Sequence, residues 1–210
     1  MKITIAVANA KGGSGKTTTA MLVAANLASE TFSVAVVDLD PQASSYMWSA
    51  AGQGLFPAEV VHATAETLAA VLAGLDVDAV LLDCPPSATA PETLAAIDVA
   101  DLLVIPCGCS PLDYWATDAM HIAAEIRRPE LQRLVVVTQS LHTKLSVELA
   151  GHIRTTWPTA RAQLASRTVY REAGVAGLGL RQMPGRTNHD AANELDALSV
   201  EILTNAIRSK

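Results

Sequence analysis

Ala10-Lys11-Gly12-Gly13-Ser14-Gly15-Lys16-Thr17-Thr18 is the stretch whose reading decides the fold. Before it runs an apolar segment, Ile3 to Ala8, with the look of a buried strand. After it, Thr19 to Ser29 is rich in Ala and Leu and reads as a helix. A glycine-rich loop between strand and helix, closing on Gly-Lys-Thr, is the context in which a phosphate-binding loop works. Its glycines let successive N–H groups turn inward toward phosphate oxygens. The helix that begins at the loop adds the positive end of its dipole. In this arrangement Lys16 places an ammonium on the β- and γ-phosphates, and the Thr17 hydroxyl meets Mg²⁺. Gly12, Gly13, Ser14, Gly15 and Thr18 supply the rest of the cradle.

The strand–helix alternation continues along the chain. Strands are expected at Ser33–Asp38, Glu59–Ala63, Ala79–Asp83, Leu102–Pro106, Leu134–Thr138 and Ala162–Ala165. Helices are expected at 42–51, 66–75, 93–100, 114–126, 147–156, 169–173 and 190–207. Hydrophobic residues make up 50% and aromatics only 4%, so the core is built from Val, Ile, Leu and Ala. That mix suits buried parallel strands. The expected fold is α/β: a doubly wound, mostly parallel sheet with helices on both faces, in one domain spanning residues 1–210. Ligand then belongs at the carboxyl ends of the strands.

Two acidic segments end strands. Val36-Val37-Asp38-Leu39-Asp40-Pro41-Gln42 closes the second, and its carboxylates, two residues apart, point the same way. One can hold metal-bound water while the other positions an attacking water. Val80-Leu81-Leu82-Asp83-Cys84-Pro85-Pro86 has the Walker B layout, with Asp83 contacting Mg²⁺ through water.

The position six before Lys16, usually Gly, is Ala10, and a second lysine, Lys11, precedes Gly12. This deviant loop resembles that of the ParA/MinD family of Walker-type ATPases, and Asp38-Leu39-Asp40-Pro41-Gln42 resembles the family's Asp-x-Asp-Pro-Gln segment. The likeness extends over nearly the whole chain. It implies ATP and Mg²⁺ as cofactors, and a homodimer that sandwiches two nucleotides. Lys11 then reaches across to the partner's phosphates and Asp40 serves hydrolysis, with Lys16. Thr17, Asp38 and Asp83 would form the metal and water shell. Pro106 to Tyr114 looks like the proline-rich segment of short, ParF-like plasmid partition ATPases, which places Pro111 near the nucleotide and the subunit contact; an ordinary strand-to-helix loop reads equally from the residues. Thr138-Gln139-Ser140 falls in a loop that relatives use to hold adenine, although many have Asn or Arg where this chain has Gln139.

Charge divides the chain. Its net charge is −6, yet residues 1–104 hold 3 basic against 11 acidic groups and residues 105–210 hold 12 against 10. Six arginines fall between 150 and 190. Arg167, Arg171 and Arg186 are therefore expected to contact DNA phosphates without sequence preference, solvated surface being the plain alternative. No apolar run approaches the ~20 residues a membrane helix needs. Met1-Lys2 leads straight into the first strand without a signal-peptide layout, and the three cysteines fit reduced thiols in a cytosol. The resemblance thus implies a cytoplasmic, nucleoid-associated ATPase that partitions plasmid or chromosomal DNA, with hydrolysis stimulated by a ParB-like or other cargo adaptor. It leaves open the positioning of protein cargo, such as carboxysomes or chemotaxis clusters. A biosynthetic enzyme of the dethiobiotin or cobyrinic acid synthetase kind shares the deviant loop, and a MinD-like membrane binder is a third alternative.

Overall fold

The computed structural model describes residues 2–141, 143–183 and 189–210. Seven parallel strands form one sheet in the order β3-β2-β4-β1-β5-β6-β7. They are β1 (Ile3–Val7), β2 (Val34–Asp38), β3 (Glu59–His62), β4 (Ala79–Asp83), β5 (Leu102–Cys107), β6 (Gln132–Ser140) and β7 (Leu164–Ala165). Every residue of β1, β2, β4 and β5 is buried. Such strands must be apolar on both faces, which is why they read as unbroken Val/Ile/Leu runs rather than alternating ones.

The helices divide between the two faces. On one lie α1 (Lys16–Leu27), α2 (Ser44–Ala51), α7 (Thr168–Ala176) and α8 (His189–Arg208). Ile3, Ile5 and Val7 point into this layer, against Met21 and Leu22 of α1 and Leu195 and Leu198 of α8. The other face is covered by α3 (Leu68–Gly74), α4 (Pro91–Val99), α5 (Pro111–Arg127) and α6 (Lys144–Thr156). Ala6 and Ala8 join this second core, with Ile97, Met120 and Ile153. Adjacent residues of β1 thus feed opposite layers, as the pleat requires.

Sequence periodicity placed the starts of α4 and α5 too late. Both begin on a proline, Pro91 and Pro111, whose fixed φ and missing N–H suit the first helical position. Ser110 caps α5 by accepting the amide of Asp113. The last strand keeps only two residues and meets β6 through a shift in register. One close approach ties α2 to α7. Gly177 closes α7 in the left-handed conformation, φ 69°, and a Cβ there would lie 1.9 Å from the backbone nitrogen of Gly52.

The strand order reverses about β1, with β4 on one side and β5 on the other. A crevice opens at such a switch point above the carboxyl ends of the strands, and the loop after β1 lies in it.

Candidate nucleotide site

Two glycines give the loop its curl. Gly13 (φ 75°) and Gly15 (φ 93°) occupy the left-handed region, and Gly15 directly precedes α1. Side chains from distant strands pin the loop from behind. The buried Asn9 donates from Nδ2 to the Pro106 carbonyl at 2.7 Å and to Thr117 Oγ1 at 3.1 Å, and its Oδ1 accepts the Lys11 amide. Thr138 Oγ1 donates to the Ser14 carbonyl at 2.8 Å, and Gln139 Nε2 to that of Gly13 at 2.7 Å. With their carbonyls thus engaged from behind, the loop's N–H groups are left for a ligand in front.

Lys16 is buried, and its Nζ donates to the Lys11 carbonyl at 3.0 Å. Burial pushes this ammonium's pKa down, and the charges of Asp83 and Asp40 work against that shift. Asp83 Oδ2 accepts two hydroxyls at 2.7 Å, those of Thr17 and Ser45, while its buried Oδ1 has no partner among the described residues. Desolvation raises the Asp83 carboxyl to about 7, against the pull of the Ser45 and Thr17 hydroxyls. A buried carboxylate with one bare oxygen, beside a threonine hydroxyl at a phosphate loop, fits the hard-oxygen shell of Mg²⁺.

Asp38, beside Asp83 in the pairing of β2 with β4, is spent differently. Its Oδ1 accepts the Asp40 amide at 3.1 Å and its Oδ2 the Tyr46 amide at 3.0 Å. Burial raises its pKa, and those backbone amides oppose the rise. The side chain thereby fixes the bend that presents Asp40. Asp40 Oδ1 accepts the Gln42 amide at 2.9 Å, and the residue faces a cavity of about 310 Å³. Gly12, Gly13, Gly15, Lys16, Thr17, Thr18, Ser44, Pro86 and Gln139 also line this phosphate chamber.

A second chamber of about 190 Å³ shares Gly15, Thr18 and Gln139 with the first and extends to Ser166, Arg167, Tyr170 and Arg171. The two adjoin through these shared residues, with phosphate donors at one end and a recess lined by both apolar and polar side chains at the other. Gln139 adopts φ 52° and serves both chambers. Pro111, as the first residue of α5, lines neither.

The second lysine turns away from the cleft. Lys11 Nζ lies 2.7 Å from Asp113 Oδ1, and Asp113 also accepts the Ser110 hydroxyl. Gly108 leaves room for this pair, since a Cβ there would lie 2.7 Å from Asp113 Oδ2. Asp113, Ser45 and Asn9 were not singled out in the sequence. Each has a partner remote in the chain, which no local pattern of the sequence reports.

Three of the six arginines expected to form a basic face between residues 150 and 190 are engaged within the molecule through their side chains. Arg167 donates from Nη2 to Glu194 Oε1 at 2.6 Å and faces Asp190 at 3.7 Å, and Tyr170 Oη donates to Glu194 Oε2 at 2.7 Å. Arg167 thus binds α8 to the rim of the cleft. Arg154 donates to the Ala160 and Arg161 carbonyls, and Arg181 pairs with Asp196 at 2.7 Å. Arg171 keeps its guanidinium without an ion pair among the described residues. Arg186 lies outside the described residues.

Comparison with known proteins gives the same picture. Residues 5–196 match the model of the CobQ/CobB/MinD/ParA nucleotide binding domain. A carboxysome distribution protein A of Halothiobacillus neapolitanus is 32% identical over 95% of this chain and 96% of its own. The chromosome-partitioning ATPase Soj of Thermus thermophilus is 38% identical over 49% of this chain and 53% of its own. In fold, the chain resembles a plasmid partition protein of Borrelia burgdorferi bound to AMPPNP, with a TM-score of 0.77 over 100% of both chains at 17% identity. A deviant phosphate loop at the switch point of a parallel sheet, matched along nearly its whole length, makes this chain a member of the CobQ/CobB/MinD/ParA nucleotide-binding family.

Proposed function

We propose that this protein is an ATP-driven positioning switch, an ATPase whose nucleotide-bound form dimerises and whose hydrolysis releases it. One observation carries the reading above others. Lys16 fills the loop, while Lys11 is directed out of its own cleft and held by Asp113. A lysine so placed is free to serve a neighbouring subunit's phosphates once it leaves that carboxylate. Within one protomer, loop amides and Lys16 hold the β- and γ-phosphates. Thr17 and Asp83 hold Mg²⁺, which supplies neutralisation of charge on the transferring phosphoryl group. Asp40 orients the attacking water, and Asp38 holds Asp40 in place through its amide. Intrinsic turnover is slow, because no strong base lies in the chamber and Lys11 must first arrive in trans.

The dimer then binds DNA nonspecifically through phosphate contacts. Arg171 and Arg186 remain candidates for this, whereas Arg167 is better assigned to holding α8 at the cleft. A cargo-bound adaptor stimulates hydrolysis. DNA partition is the first cargo reading, and the likeness to Soj supports it. Distribution of a protein compartment is the second, and the full-length likeness to the Halothiobacillus protein puts it on a level footing. The Asp40-Pro41-Gln42 segment favours a switch over a biosynthetic enzyme. The deciding experiment is retention on nonspecific DNA with ATP, ADP and no nucleotide, beside phosphate release. Binding indifferent to nucleotide would refute the switch. Loss of plasmids, against bunching of a protein compartment, in a deletion strain separates the two cargoes.

A further inference from the structure

Ser45, in the first turn of α2, is fully buried. Serines near a helix start ordinarily bond the local backbone. Here α2 begins from Ala43 without a side-chain cap, although serines follow at 44 and 45. The Ser45 hydroxyl reaches instead to Asp83 Oδ2, 38 residues away, at 2.7 Å. The backbone is bent to deliver it. Ala43 sits in the left-handed region at φ 52°, which a residue with a Cβ adopts only at a cost. That turn aims the start of α2 at two strand-end carboxylates at once. The Ser45 hydroxyl goes to Asp83, and the Tyr46 amide goes to Asp38 Oδ2 at 3.0 Å.

At Asp83 the hydroxyls settle which oxygen is left over. A carboxylate turns about a terminal torsion whose preference is broad and two-fold. One donor on Oδ2 leaves that torsion loosely defined. Two donors from different elements, Thr17 on α1 and Ser45 on α2, fix it. Oδ1 is then the oxygen that stays buried and without a partner among the described residues. Thr17 itself lines the phosphate chamber, whereas Ser45 does not, so Ser45 can act there only through Asp83. We propose that Ser45 is a positioning residue for Mg²⁺, holding Asp83 so that Oδ1 faces the ion or its water. This rests on the assignment of Thr17 and Asp83 to Mg²⁺ in the switch reading. Outer partners of metal-binding side chains fix their orientation, and losing one costs about 10–100-fold in metal affinity.

The test is Mn²⁺ titration of the 210-residue chain with AMPPNP, free Mn²⁺ being followed by electron paramagnetic resonance, beside AMPPNP binding in EDTA. Ser45→Ala should weaken Mn²⁺ about tenfold and leave metal-free AMPPNP affinity within about twofold. Ser45→Thr keeps the hydroxyl and should hold Mn²⁺ affinity within about threefold of wild type. A thermal melt checks folding. Should Ser45→Ala not fold, Ser45→Cys, similar in shape but a weak donor, carries the same comparison. Asp83→Asn separates the proposal from the reading beneath it. Mn²⁺ affinity lost in Asp83→Asn but kept in folded Ser45→Ala would overturn the positioning role alone. Affinity kept in both would overturn the metal assignment with it. Equal loss of Mn²⁺ and of metal-free AMPPNP in Ser45→Ala would also overturn the proposal, since the hydroxyl would then support the whole site rather than the metal.

Discussion

Asp113→Asn should tighten the ATP-dependent dimer. In the structure the Lys11 ammonium, 34% exposed, meets an Asp113 carboxylate that is only 9% exposed, at 2.7 Å. At an effective dielectric constant near 20, the attraction at that distance is about 6 kcal/mol. Desolvation of both groups offsets most of it, leaving about 1.5–3 kcal/mol for a charge-assisted hydrogen bond. Asparagine keeps the shape and a neutral acceptor, so the loss is about 1.4 kcal/mol, or tenfold in the population of released Lys11. A dimer needs both lysines released, so the factor enters twice and the association constant rises about a hundredfold. The measurement is sedimentation equilibrium with ATP and Mg²⁺ in an Asp40→Ala background, where turnover is suppressed, and a thermal melt checks folding. A dimer no tighter than that of Asp40→Ala alone would refute the idea that Asp113 restrains the lysine.

Four further outcomes are expected. Lys16→Ala should abolish ATP binding, whereas Lys11→Ala should bind ATP but not hydrolyse it, by calorimetric titration and phosphate release; equal hydrolysis by Lys11→Ala and wild type would remove the trans role. Arg167→Ala should cost about 2 kcal/mol in urea denaturation by stranding Glu194, while Arg171→Ala, without an ion pair, stays within about 0.5 kcal/mol. Gly177→Ala should destabilise by about 3 kcal/mol or more, because a Cβ at φ 69° meets the Gly52 backbone at 1.9 Å. His121 stacks on Trp157 at 5.1 Å, and burial, with Arg133 nearby, lowers its pKa to about 4. Unfolded His binds its proton near pH 6.5, so stability should fall as pH drops from 6.5 toward 4, by about 2 kcal/mol after allowance for partial exposure. His121→Phe should flatten that part of an acid titration, and an unchanged slope would contradict the assignment.

How much of this could be read in advance depends on how local each feature is. The sequence by itself determined the sheet, its helices and the phosphate loop. A strand buried on both faces must be apolar throughout, and a backbone that turns its amides inward must use glycine at Gly13 and Gly15. That Lys16, Thr17, Asp40 and Asp83 gather about the phosphate loop was legible because each lies at or just beyond a strand end or at a helix start. Only the tertiary structure decided where the remaining polar groups find partners. Lys11 meets Asp113 from 102 residues away, Ser45 reaches Asp83 across 38, and Arg167 is taken by Glu194 across 27. Charge counting treated the arginines of residues 150–190 as a free surface, but α8 meets two of them, Arg167 and Arg181, with carboxylates of its own. Periodicity reports which face of a helix is apolar; it does not say which face is covered, and Leu112, Trp115, Ile122 and Ile126 of α5 remain exposed because no other element of the described chain packs over them.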